Sequence, residues 1–212
     1  MDSIQRLTEL FRQFPGIGPR QAKRFVYFLL TQPNGYASDL SKLVSELKLE
    51  ITQCDMCMRF FPKDKSSSNT CSICRDAKRD ASVLMIVSRD VDFENIEKTR
   101  SFTGYYFILG GNIQILEMHP EEKIRQKELL QVIEKRSNVH SAPSQTGLRE
   151  IILALDNNPE GENTREYIEK LLGGTSIKLG FKISSLGRGL STGSELEYSD
   201  PDTIKNALQS RK

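Results

Sequence analysis

All four cysteines of the chain stand in one short polar segment, as Cys54-Asp55-Met56-Cys57 and Cys71-Ser72-Ile73-Cys74. No other feature limits the fold so tightly. A two-residue gap lets both thiolates of a knuckle face a single ion. Two such knuckles complete a tetrahedron around Zn²⁺ and leave no coordination position for water or substrate, which marks a structural rather than a reactive site. The intervening stretch, with Lys65-Ser66-Ser67-Ser68-Asn69, has almost no apolar material for a core, so the segment needs a staple. Disulfides or unligated thiols are the competing arrangement, and disulfides are rare in a reducing cytosol. Structural Zn²⁺ on Cys54, Cys57, Cys71 and Cys74 is therefore the expectation.

On either side of this segment the sequence changes rhythm. Residues 1 to about 50 read as helices. Ile4, Leu7, Leu10, Phe11 and Phe14 recur at three-to-four spacing, as do Ala22, Phe25, Val26, Leu29 and Leu30. A third helix is expected after Ser38-Asp39, with Leu40, Leu43, Val44 and Leu47 on one face. From Ser82 onward short apolar runs alternate with helical stretches. Residues 83–87, 105–109, 151–155 and 179–183 read as strands, and 92–99, 121–136 and 162–172 as helices. Uninterrupted apolar runs fit strands buried on both faces, and the alternation predicts an α/β fold with a parallel sheet. Residues 137–147 are expected to form a loop.

Two further motifs carry chemistry. Phe14-Pro15-Gly16-Ile17-Gly18-Pro19-Arg20-Gln21-Ala22-Lys23-Arg24 lies between two helical stretches. Gly16 and Gly18 permit a tight turn and close approach of another backbone, and Pro19 suits the first turn of the next helix. Free N–H groups at that helix start, with Arg20, Lys23 and Arg24, form a phosphate grip that reads no bases, the helix-hairpin-helix pattern. A plain turn with a solvated basic face is the competing reading. The second motif, Asp156-Asn157-Asn158-Pro159-Glu160-Gly161-Glu162-Asn163-Thr164, follows an apolar strand and precedes a helix. Carboxylates at the C-terminal end of a parallel strand occupy the place where open α/β sheets put ligands, and such a group is able to hold Mg²⁺. Acidic residues also favour the positive end of a helix dipole, so both readings stand at this point.

Composition narrows the class further. Thirty Lys and Arg against 28 Asp and Glu leave a net charge of +2, which excludes a histone-like polycation and an acidic tail protein but permits local basic patches. No run approaches the roughly 18 apolar residues of a membrane helix. The opening MDSIQRLTEL lacks the apolar region of a signal peptide, so a soluble cytoplasmic protein without membrane attachment is expected.

Taken in order, these features resemble the bacterial RecR family of recombination mediators. The resemblance rests on Phe14-Pro15-Gly16-Ile17-Gly18-Pro19, the two cysteine knuckles, Glu150-Ile151-Ile152-Leu153-Ala154, Glu160-Gly161-Glu162-Asn163-Thr164, and Arg188-Gly189-Leu190-Ser191-Thr192-Gly193-Ser194-Glu195-Leu196-Glu197. It implies a helix-hairpin-helix DNA-binding region over 1–53, a zinc finger over 54–80, a Toprim domain over 81–176 and a C-terminal strand/helix segment for subunit contacts over 177–212. It also implies a non-catalytic mediator of recombinational DNA repair. Such a mediator binds single- and double-stranded DNA without sequence preference and acts in the nucleoid with RecO-like and sometimes RecF-like proteins to load RecA. The family forms dimers and tetrameric rings that clamp DNA.

Departures from the family pattern fall at chosen places. Ser88, followed by Arg89, stands where Toprim enzymes carry a glutamate, and Asn158 stands in the place of a later acid, with Asp156 matching the first. Arg188 and Ser191 replace the usual His and Pro, and the 137–147 loop looks longer than usual. Two missing acids argue against a Mg²⁺-dependent Toprim nuclease or primase, the alternative function, because phosphoryl transfer needs a preorganised cation clamp. The remaining Asp156, Glu160 and Glu162 are expected to contact a partner.

Overall fold

The structure, a computed structural model, describes residues 1–63, 68–137, 147–187, 201 and 203–205. Most of the serine-rich stretch, the 138–146 part of the expected loop, and the whole Arg188–Glu197 motif with Arg188 and Ser191 lie outside the described residues. The chain divides into two units, Met1–Thr52 and Gln53–Lys212.

The first unit contains α1 (Ser3–Phe11), α2 (Pro19–Thr31) and α3 (Tyr36–Glu50). Asp2 starts α1: its carboxylate accepts from Gln5 N at 2.8 Å while the Gln5 side chain accepts from Asp2 N, satisfying two otherwise orphaned donors. The turn to α2 passes through Gly16 at φ 76°, a left-handed backbone that L side chains resist. Phe11 closes the pair by packing on Phe25 at 5.7 Å and Phe14 at 5.8 Å between ring centroids. Ala22 and Val26 are its fully buried apolar residues. The third helix begins at Tyr36, earlier than expected, because Gly35 at φ 106° makes the turn and leaves Asp39 inside the first helical turn near the positive dipole end. Its apolar residues Leu40, Leu43, Val44 and Leu47 are exposed.

A two-stranded ribbon of β1 (Ile51–Gln53) and β2 (Phe60–Pro62) flanks the first cysteine pair, followed by the short α4 (Ser72–Arg75). The α/β portion then runs β3 (Asp80–Val87), α5 (Asp90–Thr99), β4 (Gly104–Ile108), α6 (Pro120–Lys123), α7 (Gln126–Ser137), β5 (Glu150–Ala154), α8 (Pro159–Leu179) and β6 (Lys182–Ser185). The sheet order is β4-β3-β5-β6, and every pairing is parallel. Met85 sits level with Tyr106 on one side and Ile152 on the other. Alternation sends Leu84, Ile86, Phe107, Ile151 and Leu153 to one face, where Leu129 and Ile133 of α7 and Ile168 and Leu172 of α8 cover them. Met85, Val87, Tyr106 and Ile108 fill the other face against Phe93 of α5. Each fully buried large side chain contributes about 1.5–3 kcal/mol, so the two layers dominate the unit's stability.

Further boundaries differ from the sequence reading: the expected 121–136 helix is two, α6 and α7, interrupted at Ile124-Arg125, where Ile124 adopts extended backbone. Helix α8 spans Pro159–Leu179 rather than 162–172, because it starts on the Asn158 cap and runs straight through Gly173-Gly174. It ends only where Gly180 adopts the left-handed conformation at φ 75°. The last strand is displaced accordingly, from 179–183 to Lys182–Ser185. No helix among the described residues is long and apolar enough to cross a membrane.

Candidate nucleic-acid interface and metal centre

At the hairpin, Gly18 occupies the N-cap of α2 with extended backbone and supplies no side chain to cap the helix. The N–H groups of Arg20 and Gln21 therefore carry the positive end of the helix dipole outward. A Cβ added at Gly16 or Gly18 would meet nothing within 4 Å, so the backbone there is open to approach. Arg20, Lys23 and Arg24 are all exposed on α2. Among the described residues no carboxylate pairs with them; Lys23 lies 5.9 Å from the Tyr27 ring centroid and Arg24 reaches Gln21 at 3.5 Å. The sequence-derived residues Gly16, Gly18, Arg20, Lys23 and Arg24 thus share one turn and the helix it starts. Unpaired cations beside free N–H groups can hold a phosphate.

The metal-ligand candidates converge. The sulfurs of Cys54, Cys57, Cys71 and Cys74 all lie within 4.8 Å of one another. Cys57 Sγ and Cys71 Sγ are 3.6 Å apart, too far for a disulfide at about 2.05 Å, whereas Zn–S bonds of about 2.3 Å set a tetrahedral edge of about 3.8 Å. The local chain is shaped for this: Met58 turns through φ 61°, Met58 N donates to Cys54 O at 2.9 Å, and Cys71 N donates to Cys54 Sγ at 3.4 Å. N–H donation to sulfur favours the thiolate, as metal ligation requires. Hydrogen bonds from Cys57, then Cys71 and Cys74, hold Cys54 far below the ordinary thiol range. Cys57 is pushed far up, first by Cys54 and then by Cys71 and Cys74. Cys54 also pushes Cys71 up, but hydrogen bonds from Cys57 and Cys74 outweigh it and bring Cys71 to about 6. Four thiolates in this space are tolerable only around a cation, so the donor set fits a metal ion.

The knuckles are tied to the sheet rather than free of it. Ile108 N at the end of β4 donates to Cys57 O at 2.9 Å. Arg125 Nη1 bridges Met58 O and Ile108 O, each at 3.0 Å, and Tyr105 Oη donates to Asp76 O at 2.9 Å. Sequence spacing alone gave no sign of Arg125.

At the C-terminal ends of the strands, Ser88 is fully buried and donates its hydroxyl to Asn112 Oδ1 at 2.6 Å. Asn112 Nδ2 in turn donates to Asp156 Oδ2 at 2.7 Å. A neutral hydroxyl–amide bridge thus stands where Toprim enzymes gather acids, and it engages one oxygen of the remaining carboxylate. Asn158 caps α8, its Oδ1 accepting from Gly161 N at 2.8 Å. Glu160 and Glu162 lie in the first turn of that helix, and Glu162 pairs with Arg165 at 2.5 Å. Among the described residues no group of three metal-binding side chains includes Asp156, Glu160 or Glu162. Burial raises the carboxyl of Asp92, opposed by its bond from Arg89 N and reinforced by the charge of Asp156. Asn112 and Asp92 escaped the sequence reading. The position of Asn112 after Gly110-Gly111 at the end of a neighbouring strand was the available signal.

Three family models match in chain order: "RecR, helix-hairpin-helix" over residues 4–47, "Toprim domain" over 82–185 and "RecR, C-terminal" over 189–212. Proteins named Recombination protein RecR align along the full length. That of Bifidobacterium longum subsp. infantis is 36% identical over 99% of this chain and 96% of its own. That of Bifidobacterium adolescentis is 34% identical with the same coverage, and that of Myxococcus xanthus is 32% identical over 100% of this chain and 98% of its own. With these three models matched in chain order and relatives 32–36% identical along its full length, the chain belongs to the RecR family.

Proposed function

We propose that this chain is a non-catalytic mediator of recombinational DNA repair. It binds DNA through its hairpin and acts with a RecO-type partner, and with a RecF-type protein, to help load RecA on single-stranded DNA. The observation that carries the reading is the uncapped start of α2 with Arg20, Lys23 and Arg24 exposed and free of carboxylates, in a chain of this family. Contacts made to phosphates are independent of base sequence and sensitive to salt.

With a net charge of only +2, one copy holds DNA weakly, and several hairpins around one lumen raise the effective concentration. The exposed apolar face Leu40, Leu43, Val44 and Leu47 of α3 supports self-association into a dimer or tetrameric ring, since an isolated helix gains nothing from such a face in water. The ion on Cys54, Cys57, Cys71 and Cys74 is a structural Zn²⁺, the finger spans 54–80, and the C-terminal segment over 177–212 serves subunit contacts. The bridge from Ser88 through Asn112 to Asp156 supports the absence of nuclease or primase chemistry. Asp156, Glu160 and Glu162 then face a partner in the bacterial cytoplasm rather than a catalytic metal.

Sedimentation of the pure chain alone, with DNA and with a RecO-type protein tests the reading. A co-sedimenting ternary assembly is the expected result, and a chain that binds neither overturns it. A supercoiled plasmid incubated with the chain and Mg²⁺ or Mn²⁺ stays uncut. Nicking that co-purifies with the chain and disappears in Glu160→Ala would establish the enzyme reading instead.

A further inference from the structure

The segment joining β4 to α6 carries apolar side chains where turn chemistry rarely places them. Glu117 N donates to Gln114 O at 3.1 Å, which closes a turn with Ile115 and Leu116 at its centre. Turn centres ordinarily hold Gly, Pro, Asn, Asp or Ser, residues that stay wet or set the backbone angle. Here Ile115 is 62% exposed, Leu116 90% and, two residues on, Met118 84%. Ile113, by contrast, points inward and is buried.

The turn is held so that these side chains cannot fold back. Ile113 N donates to Thr164 Oγ1 at 2.8 Å, and Asn163 Nδ2 donates to Ile113 O at 3.2 Å and Gln114 O at 3.1 Å. Asn112 is fixed between Ser88 and Asp156. On the far side Lys123 pairs with Glu117 at 3.4 Å. A loop pinned by Asn163 and Thr164 in the second turn of α8 and by Lys123 of α6 presents its apolar residues in a prearranged geometry, which lowers the ordering cost of binding. Exposed Glu121, Glu122 and Glu160 flank it; with Lys123 engaged by Glu117 they outnumber the exposed Lys127, so the surroundings are net acidic and favour a basic surface over a phosphate backbone.

We infer that Ile115, Leu116 and Met118 form a protein-docking knob whose occupant is an apolar groove rimmed by Lys or Arg on a different protein. The inference rests on the partner reading under Proposed function and moves the main contact from the acidic cluster to this turn. The acids supply orientation and the three apolar side chains supply the affinity.

The test titrates full-length chain with a RecO-type protein as probe, comparing the parent with Leu116→Ser/Met118→Ser. These side chains are exposed, so the variant should melt with the parent. Its affinity should fall at least about tenfold, the drop expected for a central apolar anchor. Asn163→Ala, which releases the turn without touching the knob, should weaken binding by a smaller factor. If the parent binds and both variants bind within about twofold of it, the docking assignment is wrong while the partner reading survives, since tenfold is the scale of one anchor. If the parent does not bind at all, the partner reading falls and takes this assignment with it. Should the double variant lose its homo-oligomeric state in sedimentation, the knob is a self-contact and the assignment is again overturned.

Discussion

The two units of this chain solve the problem of burying apolar surface in opposite ways. Gln53–Lys212 sandwiches a parallel sheet between helices, with Leu84, Ile86, Phe107, Leu153 and their partners withdrawn from water on one face and Met85, Val87 and Tyr106 on the other. Met1–Thr52 buries Ala22 and Val26 and leaves the apolar face of α3 exposed. A unit that keeps so much apolar surface in water is built to be completed by something else, whereas the sheet unit withdraws both apolar layers of its sheet and exposes apolar side chains at the Ile115–Met118 turn. The difference lies in how much of each unit's apolar surface its own packing withdraws from water. Packing fixes the sheet, and the hairpin keeps its backbone and its cations available.

The largest expected effect lies at the cysteine knuckles, whose small cluster has Phe61 as its one buried apolar side chain besides cysteine among the described residues. Cys71→Ser should release the metal and cost several kcal/mol, because binding free energy at such a site is folding free energy. Metal analysis should find one zinc per parent chain, and a cleanly folded parent without metal would remove the knuckle from the account. Next, Leu153→Ala in the sheet should cost about 2–5 kcal/mol, while Leu43→Ala or Leu47→Ala on α3 should change the unfolding of a dilute monomer by less than about 0.5 kcal/mol. The α3 changes should instead shift self-association. Equal destabilisation at the two sites, measured by denaturant titration, would break the comparison. A third change sharpens it within the hairpin: Gly16→Ala forces a side chain into a left-handed backbone at φ 76° and should cost about 1–2 kcal/mol although it touches nothing.

The smallest effect concerns acid. Asp80 is held below its ordinary range by the hydroxyl and backbone N–H of Ser82. Its folded value lies below its unfolded one, so the stability it adds is present above the unfolded pKa and is lost as pH falls through the folded one. Asp80→Asn should lower stability slightly at neutral pH and flatten the acid limb of the stability profile. An unchanged limb would show that the Ser82 bonds are not coupled to folding.

Much of this was legible in the residues. Within each knuckle the sulfurs converge because a two-residue gap allows it, and the continuous apolar runs became β3, β4 and β5 because strands covered on both faces tolerate them. Gly16, Gly18 and Pro19 set the hairpin through backbone preferences that act locally. What stayed hidden depends on contacts between distant parts of the chain. Asn112 gains its role only when β4 lies beside β3, Arg125 only when α7 brings it to Met58, and the pinned turn at Ile115-Leu116 only through Asn163 and Thr164. Gly173-Gly174 misled for a related reason. Two glycines in the middle of α8 lower helix propensity, but packing of Ile168 and Leu172 against the sheet overrides it and the helix runs on to Gly180.

The central claim, that the hairpin grips phosphates, is tested most directly by the salt dependence of single-stranded DNA binding in the parent and in Arg20→Ala/Lys23→Ala/Arg24→Ala. The account predicts that log affinity falls linearly with log salt for the parent. The triple variant, verified as folded, should bind every sequence more weakly, with a slope reduced by roughly one for each phosphate it no longer neutralises. A variant that keeps the parent's affinity and slope would contradict it.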